Sequence, residues 1–450
     1  MTATGVMTPR SVEYLERIAG QIAPIAPAAI ADRVRTLVRQ HETRRLTCLN
    51  MLASENTISR GALALLSSTI ATRLTEGFPG DKEFPPAGQN VEIDEIEAIL
   101  IALVRRLLPA RFIEWRATSN TMANAIALAA VTRPGDRILV QSLQGGGNMS
   151  YHPGAVPDLL GLSVGNLPPG PCFDIDLEAA RRAARAARPT AIVVGGSYML
   201  FPLPVPELRA IADEVGAALI YDAAHVGLLI AAGLFPDPLR DGADILTLGT
   251  HKIMGGPIGG LVLTNREDLA ERVVNRTYPL FLQTRDQNKY AAAAHSMAEL
   301  VAFGSEYARQ MVANARTLAA ALAREGCTVV GADRGYTATH QLLVDARPLG
   351  GPSAEARCQA ANILVHKARM VDDDPDSTAR SGIRITTQEI TRQGMEEADM
   401  VLVARLMADA AWKRRPGELL LAEVARLAGS YPDIHYSFDE NRFGLHGRAP

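Results

Sequence analysis

Short apolar runs alternate with helical patterns between residues 112 and 264 of this 450-residue chain. Such a sequence folds most simply when each helix carries the chain back across a sheet, so that successive strands run in the same direction. The central part therefore predicts a mostly parallel α/β sheet. The predicted strands are Phe112–Ala117, Arg137–Gln141, Ala191–Val194, Ala218–Tyr221, Ile245–Leu248 and Leu261–Thr264, and the helices among them are Thr121–Val131, Leu177–Ala187 and Glu207–Val215.

The flanking regions have different patterns, and a chain of 450 residues exceeds one ordinary core. We expect an N-terminal helical arm over 1–65, a large α/β domain over 66–304 and a smaller α+β domain over 305–450. The supporting patterns are helices at Ser11–Ile22, Ala28–Gln40, Ser305–Glu325, Ala354–Ala361 and Met395–Trp412, and strands at Gln341–Val344 and Ile383–Thr386.

Charge and composition restrict the class of protein. A formal net charge of −3, with Lys and Arg spread along the chain, argues against nucleic acid or an anionic membrane as the main partner. Cys48, Cys172, Cys327 and Cys358 are far apart and lack metal-ligand spacing. We therefore expect reduced, mostly buried thiols in a soluble cytoplasmic protein without a metal site. No segment reads as a signal peptide or a membrane span.

Polar side chains follow two of the predicted strands. Asp222 and His225 come after Ala218–Tyr221, and Lys252 comes after Ile245–Leu248. Ligands of parallel sheets bind beyond the carboxyl ends of strands, so these side chains are expected to meet. A desolvated lysine can condense with an aldehyde, and a carboxylate can hold a pyridinium nitrogen protonated. The set predicts a site for pyridoxal phosphate (PLP), with Lys252 carrying it as a Schiff base.

Each of these residues alone has another interpretation. A His-Lys pair after a strand is usually just the end of an element, and Asp222 with His225 fits a buried hydrogen-bonded pair. A metal site that includes His251 lacks a third ligand at suitable spacing. The other histidines that we expect to be structural or exposed are His295, His340, His366, His435 and His446.

Six ordered blocks make the chain resemble serine hydroxymethyltransferase over roughly residues 46–412. The blocks are Met51–Asn56, Thr75–Gly80, Ala123-Asn124 with Pro134–Asp136, Tyr221–Gly233 with Phe235-Pro236, Thr250–Gly260, and Ser381–Arg384. The resemblance implies a fold-type-I PLP-dependent transferase, with a mostly parallel seven-stranded large domain, an N-terminal helical arm and a smaller α+β C-terminal domain. It also implies a homodimer or a tetramer whose subunits share their sites.

The resemblance also implies roles for individual residues. Lys252 would carry the cofactor, Asp222 would pair with the pyridine nitrogen, and His225 would contact the ring oxygen or the substrate. Arg384 would bind the substrate α-carboxylate, since its planar fork suits bidentate binding. The other implied residues are Ser54 at that carboxylate, Glu76 at the β-hydroxyl proton, Thr250 in catalysis, Ser119, Asn120 and Thr121 at the phosphate, and Asn148, Ser197, His251, Gln283 and Thr284 around the cofactor.

The sequence departs from the family's usual pattern around this site. Leu74 stands in place of a tyrosine, Asn148 in place of a stacking histidine, and Ile258 in place of an arginine. The altered segments are Lys82–Gly88, Tyr278–Arg285 and Val365–Ala368, where Ala368 replaces an asparagine that helps to bind folate. A pterin that loses this amide partner leaves polar groups unpaired, at a cost of roughly 1–3 kcal/mol.

The retained and altered residues together predict aldol chemistry on amino acid and aldehyde substrates. We expect an aldolase or a transaldolase that cleaves or forms the Cα–Cβ bond of a β-hydroxy-α-amino acid with PLP and without tetrahydrofolate. One alternative is a folate-dependent hydroxymethyltransferase acting on serine or an α-substituted serine. The others are a different PLP reaction, such as racemisation or transamination, and a non-catalytic protein with the PLP fold.

Overall fold

The computed structural model describes residues 7–84, 90–374, 380–412, 415 and 417–438. Its helices are α1 Pro9–Ile22, α2 Pro27–Arg45, α3 Arg60–Leu66, α4 Val91–Leu107, α5 Asn120–Val131, α6 Val156–Leu160, α7 Leu177–Ala187, α8 Val205–Val215, α9 Gly227–Ala231, α10 Glu267–Asn275, α11 Gln287–Arg324, α12 Gly351–Ala360, α13 Gln388–Arg392, α14 Glu397–Ala411 and α15 Gly417–Gly429. Its strands are β1 Leu49–Asn50, β2 Glu76–Phe78, β3 Asp81–Phe84, β4 Phe112–Glu114, β5 Arg137–Gln141, β6 Ser163–Leu167, β7 Ala191–Gly195, β8 Ala218–Asp222, β9 Ile245–Gly249, β10 Gly260–Thr264, β11 Thr328–Val329, β12 Gln341–Asp345, β13 Ile363–Leu364, β14 His366–Ala368 and β15 Gly382–Thr386.

A seven-stranded sheet forms the centre of the molecule, in the order β4-β10-β9-β8-β7-β5-β6. The strands β6, β5, β7, β8 and β9 are parallel, and β10 is antiparallel to both of its neighbours. The predicted mostly parallel sheet is confirmed. The edge strand β6 is absent from the prediction because only its last residue, Leu167, is buried, so its sequence is not an apolar run.

Helices cover both faces of this sheet, because successive strand residues point to opposite sides. In β7, Ile192 and Val194 join a core shared with α4, α7, α8, α9 and α11. Ala191 and Val193 of the same strand join a second core shared with α5, α6 and α10. The inner strands are therefore buried on both faces, which explains their continuous apolar sequences.

The smaller sheet has the order β11-β12-β15-β14 and is antiparallel throughout. One of its faces carries Leu342 and Ile385, which pack in a core with α11 and α14. The opposite face carries Gln341 and Arg384. One face of this sheet is therefore apolar and packs on the core with α11 and α14, and the opposite face is partly polar.

Helix α11 begins at Gln287, well before the predicted start at Ser305. Its first half includes Ala291–Ala294, which is buried all round and so lacks the helical spacing of apolar residues. A glycine at position 304 favours the end of a helix, but in the structure Gly304 lies within α11 and permits close packing. A Cβ there would lie 3.1 Å from Cδ1 of Leu228.

The N-terminal helices α1 and α2 have no buried residues in this single chain. Strand β1 follows them and pairs in parallel with β13 in a separate two-stranded sheet, which attaches the arm to the C-terminal part of the chain. Among the described residues, no helix combines the length and the apolar character that crossing a membrane requires. The domain bounds and the cytoplasmic location stay predictions.

A buried charge cluster fixes the β2–β3 hairpin that carries Glu76. Lys82 Nζ lies 2.6 Å from Glu97 Oε2, and Arg285 Nη1 lies 3.6 Å from Glu97 Oε1. These three side chains are at most 2% exposed. Arg285 also donates to the Gly77 carbonyl at 3.0 Å. The hairpin is therefore attached to α4 and to the start of α11 through one shared carboxylate.

Replacing Lys82 with methionine tests this cluster. Lys82→Met removes the nearest cation from the buried carboxylate of Glu97. The free energy of unfolding, measured by chemical denaturation, should therefore fall by about 3–5 kcal/mol. Lys289→Met is the matched control, because Lys289 pairs with Asp286 at 2.7 Å in a half-exposed position. The control should cost no more than about 1 kcal/mol. Equal losses in the two variants would contradict a structural role for the cluster.

Candidate active site

The parallel pairing of β8 with β9 brings the predicted polar residues to one edge of the sheet. Asp222, the last residue of β8, lies opposite Thr247 in β9. Lys252 follows the end of β9, and its Nζ lies 3.2 Å from Nε2 of His225. Asp222, His225 and Lys252 therefore meet at one place, as expected from the sequence.

Asp222 is a fully buried carboxylate with three hydrogen-bond donors. Its Oδ2 accepts from Nδ2 of Asn124 at 3.2 Å and from Nδ2 of Asn148 at 2.8 Å, and its Oδ1 accepts from the Ala224 N–H at 2.9 Å. Asn148 Oδ1 accepts from the Ser150 N–H at 3.0 Å. The asparagine that replaces the family's histidine is thus oriented at both ends and holds Asp222.

Burial lowers the pKa of the Lys252 amine, the charge of Asp222 opposes this shift and the charge of Arg384 adds to it, and the resulting pKa is about 8. Burial also lowers the pKa of His225 well below its usual range, with a further contribution from the charge of Lys252. His225 is therefore neutral beside an amine that loses its proton easily. This is the state in which a lysine attacks an aldehyde.

A tight turn fixes the backbone around Lys252. Thr250 Oγ1 donates to the Pro257 carbonyl at 2.5 Å, and the Gly256 N–H donates to the Thr250 carbonyl at 2.8 Å. The Lys252 carbonyl accepts from Nδ2 of Asn56 at 2.9 Å. The Thr250 hydroxyl therefore shapes the turn, while its catalytic role stays a prediction.

The start of α5 is suited to an anion. Ser119 caps the helix by accepting from the Met122 N–H at 3.2 Å, and the N–H groups of Asn120 and Thr121 have no acceptor inside the helix. Gly260 packs on this end, since a Cβ there would lie 2.3 Å from the Ser119 carbonyl oxygen. Free amides and the helix dipole favour a phosphate at this position. With Lys252 and Asp222, these residues fit PLP.

Arg384 is a buried cation with one edge available to a ligand. Its Nη1 donates to the Ser197 carbonyl at 2.7 Å, and its guanidinium lies 4.9 Å from the ring centre of Tyr198. Its Nε has no hydrogen-bond partner among the described residues. Burial lowers the pKa of Arg384. The predicted carboxylate clamp thus has a free edge, and Ser197 contributes its carbonyl to Arg384.

The other predicted residues have no described hydrogen bond to this group. Glu76 Oε2 accepts from the Tyr278 hydroxyl at 2.8 Å, while Ser54, Gln283 and Thr284 are exposed. His251 is half-buried, and burial lowers its pKa to about 4. The roles of these residues stay predictions. In the altered segment Lys82–Gly88, residues 85–88 lie outside the described part of the chain.

A positioning network behind Lys252 is absent from the sequence interpretation. Asn56 donates to the Tyr307 hydroxyl at 3.1 Å, and that hydroxyl donates to the Gln388 carbonyl at 2.7 Å. The Gln388 side chain donates to the carbonyls of Leu52 and Glu55 at 3.0 and 2.9 Å. Asn56 stands in the block Met51–Asn56, which is the one signal that points to it. The network joins the segment that carries Ser54 to the Lys252 turn.

Comparisons with known proteins give a consistent result. A family model described as "Serine hydroxymethyltransferase" matches residues 28–407. A serine hydroxymethyltransferase of Methanopyrus kandleri is 38% identical over 412 residues, 90% of this chain and 94% of the relative. That of Methanosphaera stadtmanae is 36% identical over 413 residues, 91% of this chain and 96% of the relative. The structure of "L-threonine transaldolase from Pseudomonas fluorescens in internal aldimine state" has the same fold, with a TM-score of 0.84, 24% identity, and coverage of 96% of this chain and 97% of that one.

The lowered pKa of Lys252 predicts how its reactivity depends on pH. Near pH 7, about a tenth of these amines should be neutral, against fewer than about one in a thousand for an ordinary lysine. In cofactor-free protein, capture of pyridoxal at residue 252 should rise with pH and level off above about 8. Borohydride reduction followed by mass spectrometry measures this, with Lys252→Arg as the control.

The same shift has a consequence for stability. Because the folded pKa lies below the unfolded value, the unfolded chain binds more protons between the two, and the cofactor-free fold should gain stability as pH rises above about 8. Lys252→Arg should lack this gain. A capture midpoint near 10, typical of an exposed lysine, would show that the amine is not desolvated.

Asn148 is predicted to support cofactor binding through Asp222. Asn148→Asp keeps the acceptor for the Ser150 N–H but puts a second negative charge beside Asp222. The Kd for the cofactor should rise more than tenfold in this variant, and about tenfold in Asn148→Ala. Spectrophotometric titration of cofactor-free protein measures both. Asn166→Ala, on an exposed position of β6, should match the unaltered protein.

Proposed function

The chain belongs to the serine hydroxymethyltransferase family, and on that premise we propose that it makes or breaks the Cα–Cβ bond of a β-hydroxy-α-amino acid without tetrahydrofolate. It is a PLP-dependent enzyme of the transferase and aldolase type. The finer proposal concerns the group that reacts with the electron pair left at Cα. This group is a proton in an aldolase reaction and a second aldehyde in a transaldolase reaction. Neither reaction needs a folate-bound one-carbon unit.

The surroundings of Ala368 carry this proposal. Ala368 is fully buried and packs in an apolar cluster with Phe173, Leu200, Phe201 and Leu343. The family's folate-binding asparagine would occupy this position. An apolar cluster offers no partner for the polar edge of a pterin, and each buried group left unpaired costs roughly 1–3 kcal/mol. The position is therefore suited to packing and unsuited to folate recognition.

The residues that act on the amino acid are retained. When bound, PLP supplies an electron sink for the electron pair released at Cα. Arg384 binds the α-carboxylate through its free Nε edge, and its partners at Ser197 and Tyr198 keep the guanidinium plane fixed. Asp222 would hold the ring nitrogen of the cofactor, because Asn124 and Asn148 orient its carboxylate. The chain thus orients the amino acid before any bond breaks.

Proton transfer is assigned to Glu76. Glu76 accepts the β-hydroxyl proton as the Cα–Cβ bond breaks and the aldehyde leaves. In the reverse direction it returns this proton to the new hydroxyl. Tyr278 donates to Glu76 and holds the carboxylate in place, and this hydrogen bond raises the pKa of the tyrosine. Neutral His225 accepts a hydrogen bond from the Lys252 amine.

A second copy of the chain is proposed to complete the site. The hairpin that carries Glu76 and the segment of Gln283 and Thr284 have exposed residues, and no described hydrogen bond joins them to Lys252. Large apolar side chains are exposed in these segments and in the turn after Lys252, which is typical of an interaction surface. They are Phe78, Phe84, Ile258 and Leu280, each at least 41% exposed. A homodimer that shares its sites covers these side chains and brings Glu76 to the partner's substrate.

A folate-dependent hydroxymethyltransferase is the second candidate, since the curated relatives bear the hydroxymethyltransferase name. The experiment that separates the candidates measures cleavage of threonine and serine with and without tetrahydrofolate. We expect threonine to give glycine and acetaldehyde without folate, and addition of folate to change the rate less than about twofold. Lys252→Arg should abolish the reaction. A strict folate requirement would exclude the proposal.

Ala368→Asn tests the structural reason for folate independence. An amide in the apolar cluster should lower the free energy of unfolding by about 1–3 kcal/mol, without creating a response to tetrahydrofolate. Ala368→Ser, a smaller polar change at the same position, is the control for stability. A folate-stimulated rate in Ala368→Asn would show that a folate pocket is still present.

A further inference from the structure

Two buried polar side chains next to Arg384 have no hydrogen-bond partner in the described part of the chain. His340 and Gln341 are both fully buried. Neither ring nitrogen of His340 and neither amide atom of Gln341 has a hydrogen-bond partner among the described residues. A buried polar atom without a partner costs about 1–3 kcal/mol, and native proteins satisfy more than about 90% of such atoms. This density of unpaired atoms points to a polar ligand.

Strand register places Gln341 on the same face as Arg384. Gln341 pairs with Thr386, and Leu343 pairs with Arg384, in neighbouring strands β12 and β15. Directly paired residues share a face, and so do residues two apart along a strand. Gln341 and Arg384 are therefore diagonal neighbours at roughly 7–8 Å between Cα atoms, within reach of two long side chains.

The backbone before Gln341 packs against the segment that holds Arg384. The Gln341 N–H donates to Thr339 Oγ1 at 3.1 Å, and Thr339 Oγ1 donates to the Met199 carbonyl at 2.8 Å. Met199 follows Ser197 and Tyr198, which hold the guanidinium of Arg384. Gln341 thus lies in the corner where this guanidinium is fixed.

The electrostatics of this corner favour an anion. Arg384 is buried and, within the described chain, no carboxylate pairs with it. Burial lowers the pKa of His340 to about 3, and the charge of Arg384 contributes to this shift. His340 is therefore neutral and adds no second cation. One uncompensated buried charge, flanked by neutral polar groups, is a receptor for a single negative charge.

We propose that Gln341 is a specificity-determining contact for the α-carboxylate of the amino acid substrate, alongside Arg384. A carboxylate has about four acceptor positions, and the guanidinium edge fills two of them. The amide N–H groups of Gln341 fill a further one, and His340 lines the same corner as a neutral neighbour. This inference rests on the proposed function only in that the substrate is an α-amino acid. It also places His340 at the site, whereas the sequence analysis expects His340 to be structural or exposed.

Two variants of Gln341 should weaken glycine binding to different degrees. Gln341→Met removes the donors at similar volume, so the glycine Kd of the holoenzyme should rise about tenfold. Gln341→Glu places a carboxylate beside Arg384, where it competes with the substrate. The glycine Kd should then rise more than about a hundredfold, while the Tm of the glycine-free protein rises because Arg384 gains a partner.

Glycine binding is measured from the change in cofactor absorbance and from the rise in Tm on addition of glycine. Thr386→Val is the matched control, since Thr386 pairs directly with Gln341 and its hydroxyl donates to the Met51 carbonyl at 3.0 Å. Its glycine Kd should stay within about twofold of the unaltered protein, although its Tm falls.

The inference is overturned if Gln341→Met lowers Tm but leaves the glycine Kd unchanged, which is the result for an amide satisfied by buried water. It is also overturned if Gln341→Glu lowers Tm without a selective loss of glycine binding. Glycine binding requires neither an aldehyde nor folate. The glycine-binding result for the Gln341 variants therefore stands even if the cleavage assay contradicts the proposed function.

Discussion

The parallel pairing of β8 with β9 is the contact on which the rest of the site depends. It sets Asp222 and the turn of Lys252 at the same edge of the sheet, one strand apart. Both strands are buried almost throughout, so their register is fixed by the two cores that cover them. The start of α5 reaches the same edge through the close contact of Gly260 with Ser119. Three chemically different groups are thereby held by one rigid sheet.

Desolvation of positive charge is the common theme of this site. Lys252 is half-buried and Arg384 is buried. Burial lowers the pKa of both side chains, Asp222 opposes the shift of Lys252, and the charge of Arg384 adds to it. A neutral amine suits capture of an aldehyde, and an uncompensated guanidinium suits capture of a carboxylate. The protein therefore holds two functional groups in states that are unfavourable without ligands, as sites built for binding often do.

The altered residues change the site without dismantling it. Asn148 cannot stack on a ring as histidine does, but its amide supports Asp222 and its oxygen caps the following turn. Ala368 removes an amide from the smaller sheet and completes an apolar cluster. Ala368 and Arg384 lie on the neighbouring strands β14 and β15 of the smaller sheet, so an altered position and a retained one are close together in the fold.

The sequence by itself determined the sheet, the family, and the meeting of Asp222, His225 and Lys252. Apolar strands alternating with helices allow few arrangements, and the ends of neighbouring parallel strands coincide. Only the tertiary structure decided what surrounds these residues. The early start of α11 depends on burial around Ala291–Ala294, and the network of Asn56 and Tyr307 joins residues more than 250 positions apart. The Gln341 amide has no hydrogen-bond partner among the described residues, which only the fold could show, because such partners depend on distances that sequence spacing does not encode.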